Sequence, residues 1–363
     1  MKYNVISSDS HIMEPGDLWT ATIEKKYRDA APRVERKDGM DYFVCKPLEP
    51  VPVGSVKRGG ASAEASGSTY KREEMRPGGW DADERLKDSA IDGVDAEVIY
   101  PTFGIVLFKI EDQPFLHSIA RAYNDWIAAF AGKHPARLRA VAMLPTDDIA
   151  WARTELRRVA KLGLVGAMIP GDQSSEKGYH TPYFDPLWAV AQEVDMPMSL
   201  HVGADRAKRE LDTVRYFSTY GTRPHVIAES VMDMVFSRVF ERFPKLKVVS
   251  VENDVCIFAN VLERCDSLYK RRAKIGAQQL AGGVLPSDVF RDHVYATFIR
   301  DRAGIKARHE IGVGNIMWSS DYPHPACTWP DSPKQIAEHF AGVPKEETYK
   351  MVCGNAMKLY RFN

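Results

Sequence analysis

The sequence predicts a parallel α/β barrel: a (β/α)8 TIM barrel with a long insertion after its first strand. Three observations lead there. Short apolar runs, several rich in Val and Ile, recur eight times along the 363 residues and alternate with helical patterns. Most of these runs end at a polar residue or a proline, as buried parallel strands leading into loops do. No run is followed by the GxGxxG fingerprint of a doubly wound, dinucleotide-binding sheet.

In order, the predicted strands are Val5-Ile6, Ala96 to Tyr100, Arg139 to Leu144, Leu164 to Ile169, Met196 to Leu200, Lys247 to Val251, Val294 to Phe298 and Ile316 to Trp318. Helical patterns fall at His117 to Ala131, Ile149 to Leu162, Pro186 to Val194, Val226 to Phe243 and Cys256 to Lys274. The stretch Lys345 to Phe362 has helical spacing and is expected to pack on the outside of the barrel. Residues 12 to 95 form a connection far longer than an ordinary strand-to-helix loop. Its centre, residues 54 to 69, is small, polar and Gly/Ser-rich, which suits a lid, an oligomer arm or a plain flexible insertion. The whole chain, 1 to 363, reads as one domain, since barrels of this type routinely exceed about 250 residues.

The totals exclude several classes. With 49 basic and 49 acidic residues and a pI near 7.1, nothing favours nucleic acid or an anionic membrane. The run Lys270-Arg271-Arg272 reads as a solvated helix face. No stretch approaches the roughly 18 apolar residues of a membrane span, and the opening residues lack a signal-peptide pattern. Five cysteines without a CxxC pair point to a reducing, cytoplasmic setting.

The chemistry is expected where strands end, because parallel barrels carry their sites at the C-terminal rim. Asp9 and His11 follow the first strand two residues apart and so face one side. His201 ends the fifth strand, and Asp321 follows the eighth. Oxygen and imidazole ligands in this mix suit one divalent ion, Zn²⁺ first, with Mn²⁺ or Fe²⁺ as alternatives. Three or four protein ligands leave a position open for water or substrate, as a catalytic site requires.

A set of motifs adds a resemblance. Ser8-Asp9-Ser10-His11 is followed by Glu14-Pro15 and Leu18-Trp19, then by Asp92-Gly93-Val94-Asp95 and Tyr100-Pro101-Thr102. Further on come Tyr183-Phe184-Asp185-Pro186-Leu187-Trp188, Ser199-Leu200-His201, Ser320-Asp321-Tyr322-Pro323-His324-Pro325 and Gly354-Asn355-Ala356. Nearly end to end, the chain resembles the amidohydrolase superfamily. It is most similar to the branch that includes 2-amino-3-carboxymuconate 6-semialdehyde decarboxylase and the γ-resorcylate-type decarboxylases. The resemblance implies Asp9, His11, His201 and Asp321 as metal ligands, a small-molecule substrate and a homodimer or higher homo-oligomer.

Two positions depart from that pattern. Relatives often carry His or Glu where this chain has Asp9. Many end the sixth strand with a His followed by glycines, where this chain reads Val251-Glu252-Asn253-Asp254. Glu252 is therefore a candidate proton donor or acceptor, or a ligand, or simply a Glu hydrogen-bonded at a strand end. His324 is a further catalytic candidate, and Glu14 is placed to orient His11. Arg300, Tyr183 and Trp19 are substrate-binding candidates; His180 lies in a rim loop, and Phe103 and Trp329 suit an aromatic pocket wall. The leading expectation is a metal-dependent decarboxylase of an aromatic or ring-derived carboxylic acid. The alternative is a metal-dependent hydrolase of a C–N, C–O or C–C bond, with Glu252 or Asp321 as base. A barrel that only binds ligand is the third reading.

Overall fold

The computed structural model describes residues 2–53, 75–173, 177–206, 213–272 and 280–362. Eight parallel strands lie in chain order in a nearly closed barrel: β1 (Ile6–Ile12), β5 (Ala96–Pro101), β6 (Leu138–Met143), β7 (Gly166–Asp172), β8 (Met198–Asp205), β9 (Val248–Val251), β10 (Val294–Phe298) and β11 (Ile316–Trp318). Between β1 and β5, the short strands β2 (Arg33–Lys37), β3 (Met40–Val44) and β4 (Val51–Pro52) form a separate antiparallel sheet. All eight predicted runs fall on barrel strands, which are almost wholly buried because helices cover the outer face.

The seam between β1 and β11 is closed by the chain just beyond β11. Asp321 N donates to Asp9 O (3.0 Å), His11 N donates to Tyr322 O (2.7 Å), and Ser8 Oγ donates to Trp318 O (2.8 Å). Strand β1 runs on to Ile12, so Asp9 and His11 lie within the strand and not in a loop after it. Its pairing with β5 shifts register between Ser7 and Ser10, an irregularity of the kind that re-aims side chains beside active sites.

The described parts of the connection between β1 and β5 carry structure of their own. Phe43 alternates inward on β3, meets Trp19 edge-on at 5.8 Å and stacks on Phe103 at 4.2 Å. Phe103 follows β5, so this small sheet packs against the C-terminal rim. The Gly/Ser-rich stretch 54 to 69 lies outside the described residues.

The C-terminal stretch is helical, as its spacing predicts. It runs in pieces, Lys345–Tyr349, a wider turn at Lys350–Gly354 and Asn355–Leu359. It packs against β11 and β1, and its last residues reach the N-terminal face of the barrel. Phe362 meets Tyr3 edge-on, and Arg139 donates to Arg361 O (3.0 Å), both partners lying near the starts of strands. Tyr360 is fully buried, and its hydroxyl lies 3.1 Å from that of Tyr100 on β5.

Candidate metal centre and active site

Asp9 and His11 from β1, His201 from β8 and Asp321 beyond β11 converge at the C-terminal end of the barrel, each fully buried. His11 Nε2 lies 3.4 Å from Asp9 Oδ1, 3.6 Å from Asp321 Oδ1 and 3.2 Å from His201 Nε2. His201 Nε2 is 3.7 Å from Asp9 Oδ1. Glu252, just past β9, joins this group, and His324 joins its Asp321 side. Ligand atoms of Asp9, His11, His201 and Glu252 lie within 4.8 Å of one another, as do those of His11, Glu252, Asp321 and His324.

These donors fit a cation. Both carboxylate oxygens of Asp9 and both of Asp321 are buried without a hydrogen bond. His324 Nδ1 approaches Asp321 Oδ1 at 3.0 Å, but without hydrogen-bond alignment. Burying such groups unpaired costs several kcal/mol, by a general estimate of about 2–7 for a polar group and more for a charge. The two imidazoles are turned by their other nitrogens: His11 Nδ1 donates to Pro101 O (2.9 Å) and His201 Nδ1 to Val202 O (2.8 Å). Carbonyl partners of this kind fix the ring so that Nε2 faces the ion.

The electrostatics of the chain alone say the same thing. Burial opposes ionisation of Asp9, yet the nearby His11 and His201 rings hold it below the usual carboxylate range. Burial and then the Asp9 carboxylate push Asp321 well up, and burial and then Asp321 do the same to Glu252. Burial disfavours the His201 imidazolium, but Asp9 outweighs it and lifts that ring to about 9, whereas burial and then the charge of His324 depress His11 to about 3. The Asp9 carboxylate thus favours positive charge beside the two rings, of the kind a bound cation would supply.

Two of the carboxylates sit on strained backbone. Glu252 has φ 56° and Asp321 φ 58°, in the left-handed region that suits glycine. Outliers of this kind cluster at functional sites, held by the surrounding structure. Here Asp321 N is tied to Asp9 O and Glu252 N to Thr297 Oγ1 (2.9 Å).

Around the centre, Glu14 is the buried anchor of the turn after β5. Its carboxylate accepts from the backbone N–H groups of Thr102 (3.1 Å), Phe103 (3.0 Å) and Gly104 (2.9 Å). Burial raises it to about 7 even against those donors. Glu14 therefore acts on His11 indirectly, by holding the segment whose Pro101 carbonyl the ring uses. Thr102 Oγ1 in turn lies 3.0 Å from His324 Nε2, and the His324 ring stacks on His11 at 3.8 Å. Burial depresses His324 to about 3. Beneath the rings, Tyr100 Oη contacts Ser199 Oγ (3.0 Å) and Tyr360 Oη (3.1 Å), which makes a polar floor.

The other predicted residues stand apart from this cluster. Arg300 is exposed and donates to Gln335 Oε1 (2.8 Å) and to the carbonyls of Ala326 and Cys327, so it braces the loop after His324. Trp19 is fully buried, with Nε1 donating to Ile119 O (3.1 Å). The Tyr183 hydroxyl donates to Asp147 O. Trp329 donates from Nε1 to Asp88 O (3.0 Å), and His180 is paired with Asp233 at 3.4 Å on the surface. The sequence reading missed Arg85, whose guanidinium reaches the carbonyls of His11 and Tyr322. A signal for it exists: Glu97 interrupts the buried strand β5 and needs a cationic partner.

A buried carboxylate–imidazole cluster at the C-terminal rim of a parallel barrel defines a metal-dependent barrel enzyme. The chain belongs to the amidohydrolase family, whose sequence pattern it matches over residues 19–362. A γ-resorcylate decarboxylase of Rhodococcus jostii is 42% identical over 270 residues, 68% of this chain and 77% of that protein. In fold, the chain is similar to an amidohydrolase of Mycobacterium avium subsp. paratuberculosis, with TM-score 0.78 and 19% identity over 99% of this chain and 100% of that one. It is also similar to a dihydroxybenzoic acid decarboxylase of Polaromonas sp. with bound manganese and the inhibitor 2-nitroresorcinol, with TM-score 0.66 and 18% identity over 100% of this chain and 98% of that one. The barrel and the family resemblance read from the motifs are thereby established. No helix among the described residues is long and apolar enough to cross a membrane.

Proposed function

We propose that the protein is a divalent-metal-dependent decarboxylase acting on an aromatic or ring-derived carboxylic acid. The observation that carries this reading is the cluster of Asp9, His11, His201 and Glu252, which shares His11 and Glu252 with a second group holding Asp321 and His324. The 42% identity to a γ-resorcylate decarboxylase supports it. Asp9, His11, His201 and Asp321 would hold the ion, which when bound would orient the substrate through its carboxylate or a neighbouring hydroxyl. Glu252 delivers a proton to the ring carbon that bears the carboxylate. The bond to the carboxylate then breaks, its electron pair returns to the ring, and CO₂ leaves; solvent reprotonates Glu252. His324, bonded to Thr102 and stacked on His11, supports the His11 ring from behind. Arg300 contributes through the loop it braces, while Trp19 supports the aromatic wall at Phe43 and Phe103, and Tyr183 fixes the rim beside Asp147.

The donor set suits Zn²⁺ by affinity order, and the manganese bound in the Polaromonas enzyme makes Mn²⁺ the alternative. Glu252, at the place where many decarboxylases of the branch carry His, favours a second reading as a hydrolase in which a carboxylate serves as base. One experiment separates them. The purified protein, its metal content measured, is offered hydroxybenzoates, ring-fission acids and simple amides in D₂O. CO₂ release with deuterium at the vacated carbon supports the decarboxylase, and hydrolysis without CO₂ supports the alternative. Five free cysteines fit a reducing, cytoplasmic setting, and the proposed homodimer is checked by light scattering.

A further inference from the structure

Arg85 lies on the helix Ala82–Ile91, in the connection between β1 and β5, and is fully buried. Its guanidinium makes a paired contact with Glu97 on β5, from Nε to Oε2 (2.8 Å) and from Nη2 to Oε1 (2.9 Å). Nη1 donates to His11 O (2.9 Å) and Gly78 O (3.3 Å), and Nη2 also donates to Tyr322 O (3.1 Å). A guanidinium has five N–H bonds in one rigid plane, and these five contacts use them all. One turn along the same helix, Asp88 accepts the Tyr322 hydroxyl at 2.5 Å, while the Tyr322 ring lies 4.5 Å from the Arg85 guanidinium carbon.

The two carbonyls nearest the centre belong to His11, a ligand candidate itself, and to Tyr322, which follows Asp321. These are the two sides of the barrel seam. Strand β11 ends at Trp318, short of Asp321. Beyond it two backbone hydrogen bonds, Asp321 N to Asp9 O and His11 N to Tyr322 O, join the segment to β1, and Arg85 braces both carbonyl-bearing segments beside them. We propose that Arg85 is a positioning residue for the metal centre: its planar fork, with the two backbone hydrogen bonds across the seam, holds the β1 backbone carrying Asp9 and His11 in register with the backbone carrying Asp321. Glu97 neutralises the guanidinium, so its role is geometric and not a matter of adding charge to the centre. This inference rests on the metal-centre reading above.

The test uses Arg85→Lys, which keeps a cation but loses the planar fork. Mn²⁺ is titrated into the metal-stripped full chain and followed by its electron paramagnetic resonance spectrum. Groups that orient ligands from behind typically change metal affinity about 10–100-fold. Arg85→Lys should weaken Mn²⁺ binding by that factor, broaden the spectrum of the bound ion and lower kcat more than it raises KM. A core variant remote from the seam, Leu156→Ala, should lose thermal stability yet bind Mn²⁺ as the wild type does. If Arg85→Lys fails to fold, Glu97→Gln, which loosens the guanidinium while leaving it in place, should show a smaller loss of affinity of the same kind. Wild-type affinity and spectrum in the variant that folds overturn the inference while leaving the metal centre standing. A wild-type chain that takes up neither Mn²⁺ nor Zn²⁺ overturns both.

Discussion

His11 and His201, 190 residues apart in the chain, bring their Nε2 atoms to 3.2 Å from each other while each Nδ1 is bound to a backbone carbonyl. Two nitrogens so directed stay close only with a positive charge between them. The unpaired oxygens of Asp9 and Asp321 face the same space.

Removal of metal should therefore destabilise the protein as well as silence it. A ligand at about 100 times its Kd adds about 2.7 kcal/mol to folding stability. Chelation should lower the Tm by several degrees, and added Zn²⁺ or Mn²⁺ should restore it. His201→Ala should purify without metal and show no Tm response to either ion. A chelator-insensitive wild-type Tm would count against the centre.

Glu252→Gln should keep the metal and lose turnover. The variant preserves shape but cannot donate an acidic proton, and general acid–base groups contribute about 10²–10⁴-fold in rate. Metal content measured beside kcat gives the answer. Undiminished kcat across the pH range would make Glu252 a structural strand-end residue.

Glu14 predicts a pH dependence of stability. Burial raises its folded pKa from 4.5 to about 7. The folded state thus retains a proton that the unfolded chain releases. Its stabilising contribution is complete below about 4.5 and is lost as pH rises through about 7, by about 3 kcal/mol at 1.36 kcal/mol per pKa unit. Thermal melts from pH 4.5 to 8 should show a downward slope in the wild type that is shallower in Glu14→Gln. Parallel curves would exclude Glu14 as its source.

Tyr360→Phe should cost about 1 kcal/mol, the usual net value of one hydrogen bond. Tyr100 keeps Ser199 as partner, so metal affinity should stay at the wild-type value. A tenfold loss of metal affinity would show that the polar floor reaches the ligands.

Much of the scaffold was legible because burial leaves a mark in composition. Strands covered on both faces need uninterrupted apolar runs, and each such run became a strand. Backbone geometry left weaker marks. The pattern from Val226 to Phe243 breaks into Pro224–Phe236 and Val239–Arg242, because Arg238 takes φ 61°, a conformation that an arginine does not advertise. The small sheet of β2 to β4 was obscured by exposed, charged alternation such as Arg33 to Lys37. Asp9, His11, His201 and Asp321 were readable because ligand-type residues near strand ends are few. Arg85 was harder to read, because its helix Ala82–Ile91 reads as a polar, solvated segment, three of its five contacts are to carbonyls, and its one side-chain signal is the Glu97 that interrupts β5.

The left-handed backbone at Glu252 and Asp321 sets selection for robustness against selection for turnover. Each such residue costs about 1 kcal/mol or more relative to glycine, by the general cost of a strained dihedral. A library ranked by heat tolerance alone should drift toward Gly or Asn at 252 and 321, and the same library ranked by product formed should restore the acids. On the proposed mechanism, these two positions are where a more durable version of the fold would be a poorer catalyst.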